Sequence, residues 1–386
     1  MRQIYMDHSA TTPVDPAVLE AMIPYFTDLY GNPSSLYSKG QAAKRAVEAS
    51  RRKVASLIGA DEREIYFTSG GTEADNQAIA AYMFANADRG RHLITSAVEH
   101  HAVLDTCRHL EKAGFELTVL PVDSHGLVEP ETLKKAIKPG TTLVTIMHAN
   151  NEIGTIQPIK ELAAVAHGAG VAFHTDAVQT VGKVPVDVKE LGVDMLSASS
   201  HKIYGPKGIG CLYIKKGSKI GKLLHGGPQE NKMRAGTENV PGIVGFGQAA
   251  ELAGQRMPVL SARLTALGRR LREGIVRDIP GTHLTGHPEL RIPGSVSLCF
   301  EHVEGESILL PLDGYGIMAS TGSACTTGFL EPSHVLLAIG VPHETVHGSL
   351  RLTLGKDNSD EDVDFTLKVL QEVIERLRAV SPLYNK

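Results

Sequence analysis

The chain has 386 residues, of which 42% are hydrophobic and 21% charged, with a formal net charge of −4. That length is long for one hydrophobic core and predicts two domains, or one large domain with an appendage. The balance excludes a disordered chain, and the slight acidity leaves nothing global to draw it to nucleic acid or an acidic membrane surface.

The opening Met1-Arg2-Gln3-Ile4-Tyr5-Met6-Asp7-His8 lacks the apolar stretch of a secretory signal, and nothing downstream reads as a membrane span. Four cysteines with no Cys-x-x-Cys pair suggest neither a disulfide framework nor a metal site, so a reducing cytoplasm is the expected home. From about residue 60 to 215, short β-branched runs predict strands at 91–95, 117–120, 143–147, 171–174 and 193–196. Helical spacing lies between them at 102–113, where Val103, Leu104, Cys107 and Leu110 share a face, and at 129–137 and 159–167. The alternation predicts an α/β domain with a large, mainly parallel sheet. Further on, a helix is expected over 258–277 with Pro258 in its first turn, then strands at 295–300 and 350–354 and a helix over 361–378. These predict a smaller α+β domain over 256–386, joined by residues 1–14, beside a large domain over 15–255.

Candidate chemistry lies where the strands should end. Thr68-Ser69-Gly70-Gly71-Thr72-Glu73-Ala74-Asp75-Asn76 leads into an Ala-rich helix and could present free N–H groups to a phosphate. Taken alone, it reads better as a turn with Thr72 as N-cap. Asp176 follows an apolar strand and could cap a helix or hold a protonated ring nitrogen. Lys202, after Ser199-Ser200-His201, sits among small and hydroxyl residues that suit an amine held in a site and able to form a Schiff base. Cys325 lies in Ser320-Thr321-Gly322-Ser323-Ala324-Cys325-Thr326-Thr327-Gly328, where no apolar periodicity explains it, and reads as an exposed nucleophile. His100 could stack on a ring or start a helix. Arg351, inside an apolar strand, needs a partner: a substrate carboxylate and a structural salt bridge are equally good accounts.

The ordered set resembles the class V aminotransferase superfamily of fold type I enzymes, and within it the NifS/IscS-type cysteine desulfurases. The resemblance runs through Asp7-His8-Ser9-Ala10-Thr11-Thr12-Pro13, Gly31-Asn32-Pro33-Ser34-Ser35 and Gly71-Thr72-Glu73-Ala74-Asp75-Asn76. It continues in Glu99-His100-His101, Asn150-Asn151-Glu152-Ile153-Gly154 and Ser199-Ser200-His201-Lys202, then Arg234-Ala235-Gly236-Thr237-Glu238-Asn239 and Ser323-Ala324-Cys325-Thr326. The run around Cys325 and the following Leu330-Glu331-Pro332-Ser333-His334 are similar to the longer-loop branch.

The resemblance implies pyridoxal 5'-phosphate as cofactor, held covalently by Lys202, with Asp176 on the ring nitrogen, Gln179 on the phenolic oxygen and His100 stacked on the ring. Thr72, Ser199 and His201, with the helix start at Gly71, would bind the phosphate. Thr237 would reach the phosphate of a neighbouring subunit, implying a homodimer. Asn151 and Arg351 would hold the carboxylate of L-cysteine, and His100 would carry a proton. Cys325 would take the sulfur as a persulfide, leaving alanine, for an iron–sulfur scaffold or another sulfur-acceptor protein. Rival activities are selenocysteine lyase or another class V transaminase and, in a different class, a non-catalytic sulfur-scaffold subunit. The last is disfavoured because Lys202 and Asp176 are both present.

Overall fold

The computed structural model describes residues 3–322, 332–381 and 384. In chain order the strands are β1 (Ile4–Tyr5), β2 (Ile65–Thr68), β3 (His92–Ser96), β4 (Glu116–Leu120), β5 (Thr141–Thr145) and β6 (Ala172–Asp176). They continue as β7 (Met195–Ser199), β8 (Gly210–Ile214), β9 (Thr282–Leu284), β10 (Ser295–Phe300), β11 (Ile317–Met318) and β12 (Ser349–Thr353). A seven-stranded sheet runs β2-β8-β7-β6-β5-β3-β4. From β7 to β4 every pairing is parallel, while β8 is antiparallel to both β2 and β7. β3 and β7 are buried along their whole length, as expected where helices cover both faces of a parallel sheet.

The His101–Lys112 helix buries Val103, Leu104, Cys107 and Leu110, the face that its spacing predicts. The Ser38–Leu57 helix packs closely on the start of a long helix, Val240–Asp278. Contact is tight because Gly247 lacks a side chain: a Cβ there would lie 2.6 Å from that of Ser50.

The long helix departs from expectation. It starts at Val240, capped by the Asn239 side chain on the Gly242 N–H at 3.1 Å, and runs through Pro258 instead of beginning there. Pro258 is exposed, and the residue four before it, Gly254, is exposed too. The carbonyl that loses its N–H partner can therefore turn to water, and the helix survives.

This helix joins two hydrophobic cores. Its first half places Ile243, Phe246 and Ala250 in the core under the large sheet. Its second half places Leu264, Leu271 and Ile275 in another core, with the antiparallel strands β9, β10 and β12 and the Asp360–Val380 helix. Ile4 and Met6 pack into the second core, since β1 pairs with β11. Among the described residues no helix is long and apolar enough to cross a membrane.

Candidate active site

The C-terminal edge of the large sheet opens into a cavity of about 330 Å³. β7 ends at Ser199 and runs straight into the tight turn Ser200–Lys202, which delivers Ser199, His201 and Lys202 to the cavity wall. Lys202 is half-buried, and its ammonium donates to the carbonyls of Ser9 and Ala10, the latter at 2.8 Å. His201 Nδ1 lies 3.1 Å from the Thr11 hydroxyl. Burial, with Lys202 beside it, lowers His201 to about 4, so its ring is neutral near pH 7.

β6 ends on Asp176, which is buried and accepts the Val178 N–H at 2.9 Å. Burial pushes its carboxyl up, while that N–H, His100 and Lys202 pull it down, and burial prevails. A ligand cation beside Asp176 would reverse the balance. Gln179, in the next turn, donates to the Ser9 carbonyl at 3.0 Å.

The Gly71–Asn76 helix starts at the cavity with Gly70 as N-cap and no side-chain capping bond. Thr72 therefore is not the N-cap; it stands inside the first turn with its side chain exposed. The first-turn N–H groups are left for an anion. Gly71 is required by the close approach of β6's following turn, because a Cβ would meet Val178 Cγ2 at 2.7 Å.

His100 starts a helix, one of the two roles expected for it, and also faces the cavity. It caps the His101–Lys112 helix, its Nδ1 accepting the Ala102 N–H at 3.1 Å, and its ring lines the cavity. Burial lowers its pKa, and with Nδ1 accepting, the neutral ring carries its proton on Nε2. Arg351 projects from β12, donating to the Asn151 carbonyl at 3.1 Å and to Asp7 Oδ1 at 2.8 Å. The salt bridge exists, yet Nε is buried with no hydrogen-bond partner among the described residues. Asn151 and Arg351 both line the cavity.

Thr237 is not brought there. It is exposed and outside the cavity lining, on a segment tied by Arg234 to Glu73 at 2.8 Å and by Glu230 to Arg51 at 2.7 Å. Cys325 lies outside the described residues.

Among the wall residues given no role in the sequence, Asp75 is the ionisable one. Asp75 lines the cavity and is 1% exposed, and its Oδ1, 3.7 Å from His174 Nε2, has no hydrogen-bond partner among the described residues. Burial, reinforced by Asp176, holds its carboxyl well above the ordinary range. Its place three residues after Thr72, on the same helix face, was the available signal. Behind it, burial pushes Glu99 up to about 8 and His174 down to about 3. The donor set fits a phosphorylated, ring-bearing aldehyde: an uncapped helix start with hydroxyls, a buried carboxylate, an amide, an imidazole and an amine face one space.

Comparison with known proteins agrees. The Aminotransferase class-V family model matches residues 4–365. A cysteine desulfurase IscS of Methanosarcina thermophila is 57% identical over 385 residues, covering 100% of this chain and 95% of that protein. Cysteine desulfurase IscS 1 of Archaeoglobus fulgidus is 48% identical over 382 residues, covering 99% and 100%. Among solved structures, a NifS-like protein superposes with a TM-score of 0.92 at 39% identity, over 97% of this chain and 100% of its own. The structure of SspA in complex with cysteine gives 0.82 at 36% identity, over 91% and 99%.

Proposed function

This chain belongs to the class-V aminotransferase family and is a cysteine desulfurase, and from that premise we propose that it uses pyridoxal 5'-phosphate to move sulfur from L-cysteine to Cys325. The observation that carries the assignment of roles is the single cavity into which two parallel strand ends and one helix start deliver Asp176, Lys202 and Thr72. When bound, pyridoxal phosphate supplies an aldehyde that captures amines and an electron-poor ring that accepts electrons from bonds broken nearby.

The chain's own residues do the rest. Lys202 would hold the cofactor and would move the proton at the substrate's Cα. Asp176 holds the ring nitrogen in its protonated form. Thr72, Ser199, His201 and the N–H groups following Gly71 hold the phosphate. His100 covers the ring and offers the proton on Nε2. Arg351, through an Nε unpartnered among the described residues, and Asn151 hold the substrate carboxylate. The Cys325 thiolate forms an S–S bond as the substrate's Cβ–S bond breaks. A proton replaces sulfur on that carbon, giving alanine and the persulfide, which passes to an iron–sulfur scaffold or another acceptor protein. Thr237, outside the lining of its own cavity, serves the phosphate of a partner subunit in a homodimer, and the two cores joined by the long helix act as a large and a small domain.

The test is anaerobic addition of L-cysteine to cofactor-loaded protein, with alanine and sulfide quantified in the presence of a thiol reductant. Equal yields are expected, and Cys325→Ala should bind cysteine but release no sulfur. Pyruvate and ammonia, or full turnover by Cys325→Ala, would remove that residue from the mechanism.

A further inference from the structure

An amide side chain has a donor end and an acceptor end, so which end of Gln179 faces which neighbour decides what it can offer a ligand. Its neighbours leave one orientation. Nε2 faces the Ser9 carbonyl at 3.0 Å, a group that only accepts. Oε1 accepts from the Lys183 side-chain nitrogen at 3.2 Å, which can donate whether charged or neutral. An inverted amide would set acceptor against acceptor at the Ser9 end. Ser9 also accepts from Lys202, so Lys183, Gln179, Ser9 and Lys202 form one hydrogen-bonded chain.

We propose that Lys183 is a positioning residue for the desulfurase reaction: it locks the Gln179 amide so that the second Nε2–H is offered to the cavity as a donor for an anionic ring oxygen of the cofactor. The proposal rests on the cofactor assignment above.

The local chain is built for this contact. Val181 N–H bonds the Ala177 carbonyl at 3.0 Å and Lys183 N–H bonds that of Thr180 at 2.9 Å, a tight turn that brings positions 179 and 183 together. Gly182 holds φ at +74°, and a side chain there would strike Ile203 Cγ2 at 2.8 Å. The Lys183 carbonyl accepts from Ser261 of the long helix at 3.1 Å, which pins the turn from behind. Lys183 forms no ion pair among the described residues. The ionisable groups acting on it are cations or imidazoles: Lys202, Arg351, His8 and His201. Burial, then Lys202 and Arg351, lower its pKa to about 7. A half-buried lysine turned toward like charge needs a reason to be there. The Gln179 contact supplies one.

The test follows the visible band of bound pyridoxal phosphate through a pH titration, with the cofactor's dissociation constant measured alongside. A donor on an anionic ring oxygen favours the less protonated cofactor, so Lys183→Met should move the midpoint up by about one pH unit. Lys183→Arg, which keeps a donor, should restore it. Gln179→Leu should shift the midpoint as Lys183→Met does, and the double variant should shift no further. A wild-type midpoint in Lys183→Met, or a further upward shift when it is added to Gln179→Leu, would overturn the proposal. The second result would mean that the lysine acts by charge alone. If Lys183→Met fails to fold, as read by circular dichroism, Lys183→Arg decides: a shifted midpoint there rejects the lock. Wild-type protein that holds no pyridoxal phosphate would overturn both this proposal and the cofactor assignment. A failed lock with normal alanine release would overturn this one alone.

Discussion

Arg51 and Arg351 are both buried, at 7% and 3% exposure, one behind the large sheet and the other at the cavity. Arg51 is fully matched. It grips Glu230 through both terminal nitrogens at 2.7 and 2.8 Å, reaches the Ile65 carbonyl at 2.8 Å, and uses Nε on Glu48 at 3.2 Å. Arg351 has one carboxylate contact, one carbonyl and, among the described residues, an idle Nε. A similar contrast recurs among carboxylates, since Glu230 faces a guanidinium whereas Glu152, buried outside the cavity lining, meets the Ser333 hydroxyl at 2.5 Å among the described residues. A buried charge with every valence met is scaffold. One left partly unmet at the wall of a cavity is held ready for a ligand.

Substitutions can break or sharpen that contrast. Glu230→Ala should be the most damaging to stability, because it strands the Arg51 charge and the Phe67 N–H that Glu230 accepts at 2.8 Å. A loss of about 3–5 kcal/mol in denaturant unfolding is expected. An unchanged midpoint would make that pair dispensable. Arg351→Ala should instead lower kcat/KM for L-cysteine about a hundredfold, or ~3 kcal/mol, chiefly through KM. Arg351→Lys should recover little, because the planar fork is lost; full recovery would mean that only charge matters there.

Glu152 gives a pH signature. Burial raises it to about 7, against the opposing Ser333 bond and Arg351. The native state thus keeps a proton that the unfolded chain sheds near its ordinary value, and stability falls as pH rises from there through about 7. Glu152→Gln cannot ionise, so across that window it should lose less stability than the wild type, by on the order of 2 kcal/mol. Parallel stability–pH curves would show that Glu152 is ionised throughout. The smallest effect is expected at Asp75→Asn. A carboxyl already neutral in the fold is replaced by a neutral amide, and unfolding at pH 7 should change by less than about 1 kcal/mol. A large destabilisation would mean that Asp75 carries its charge.

Much of the site could be read in the chain. Asp176, Ser199 and Lys202 follow the short apolar runs of strands buried on both faces, and a parallel sheet sends such ends to one edge. The helix over 101–112 likewise shows its buried face in its own spacing. Pro258 misled because the rule that proline starts helices is local, and what let the helix continue was the exposure of Gly254 and Pro258 in the folded chain. Asp75 was hidden for a related reason: three residues from Thr72 it looks like any polar helix residue until the fold buries it at the cavity wall.

The sequence by itself determined the strand–helix alternation from β3 to β7, the segments that carry chemistry, and the family to which they belong. Each of these is written in neighbouring residues, because strand and helix periods and turn residues act over a few positions. Only the tertiary structure decided how the polar groups pair. Gln179 finds Ser9 across 170 positions and Arg351 finds Asp7 across 344. Whether a buried charge is satisfied or left idle depends on such distant partners, which local spacing does not encode.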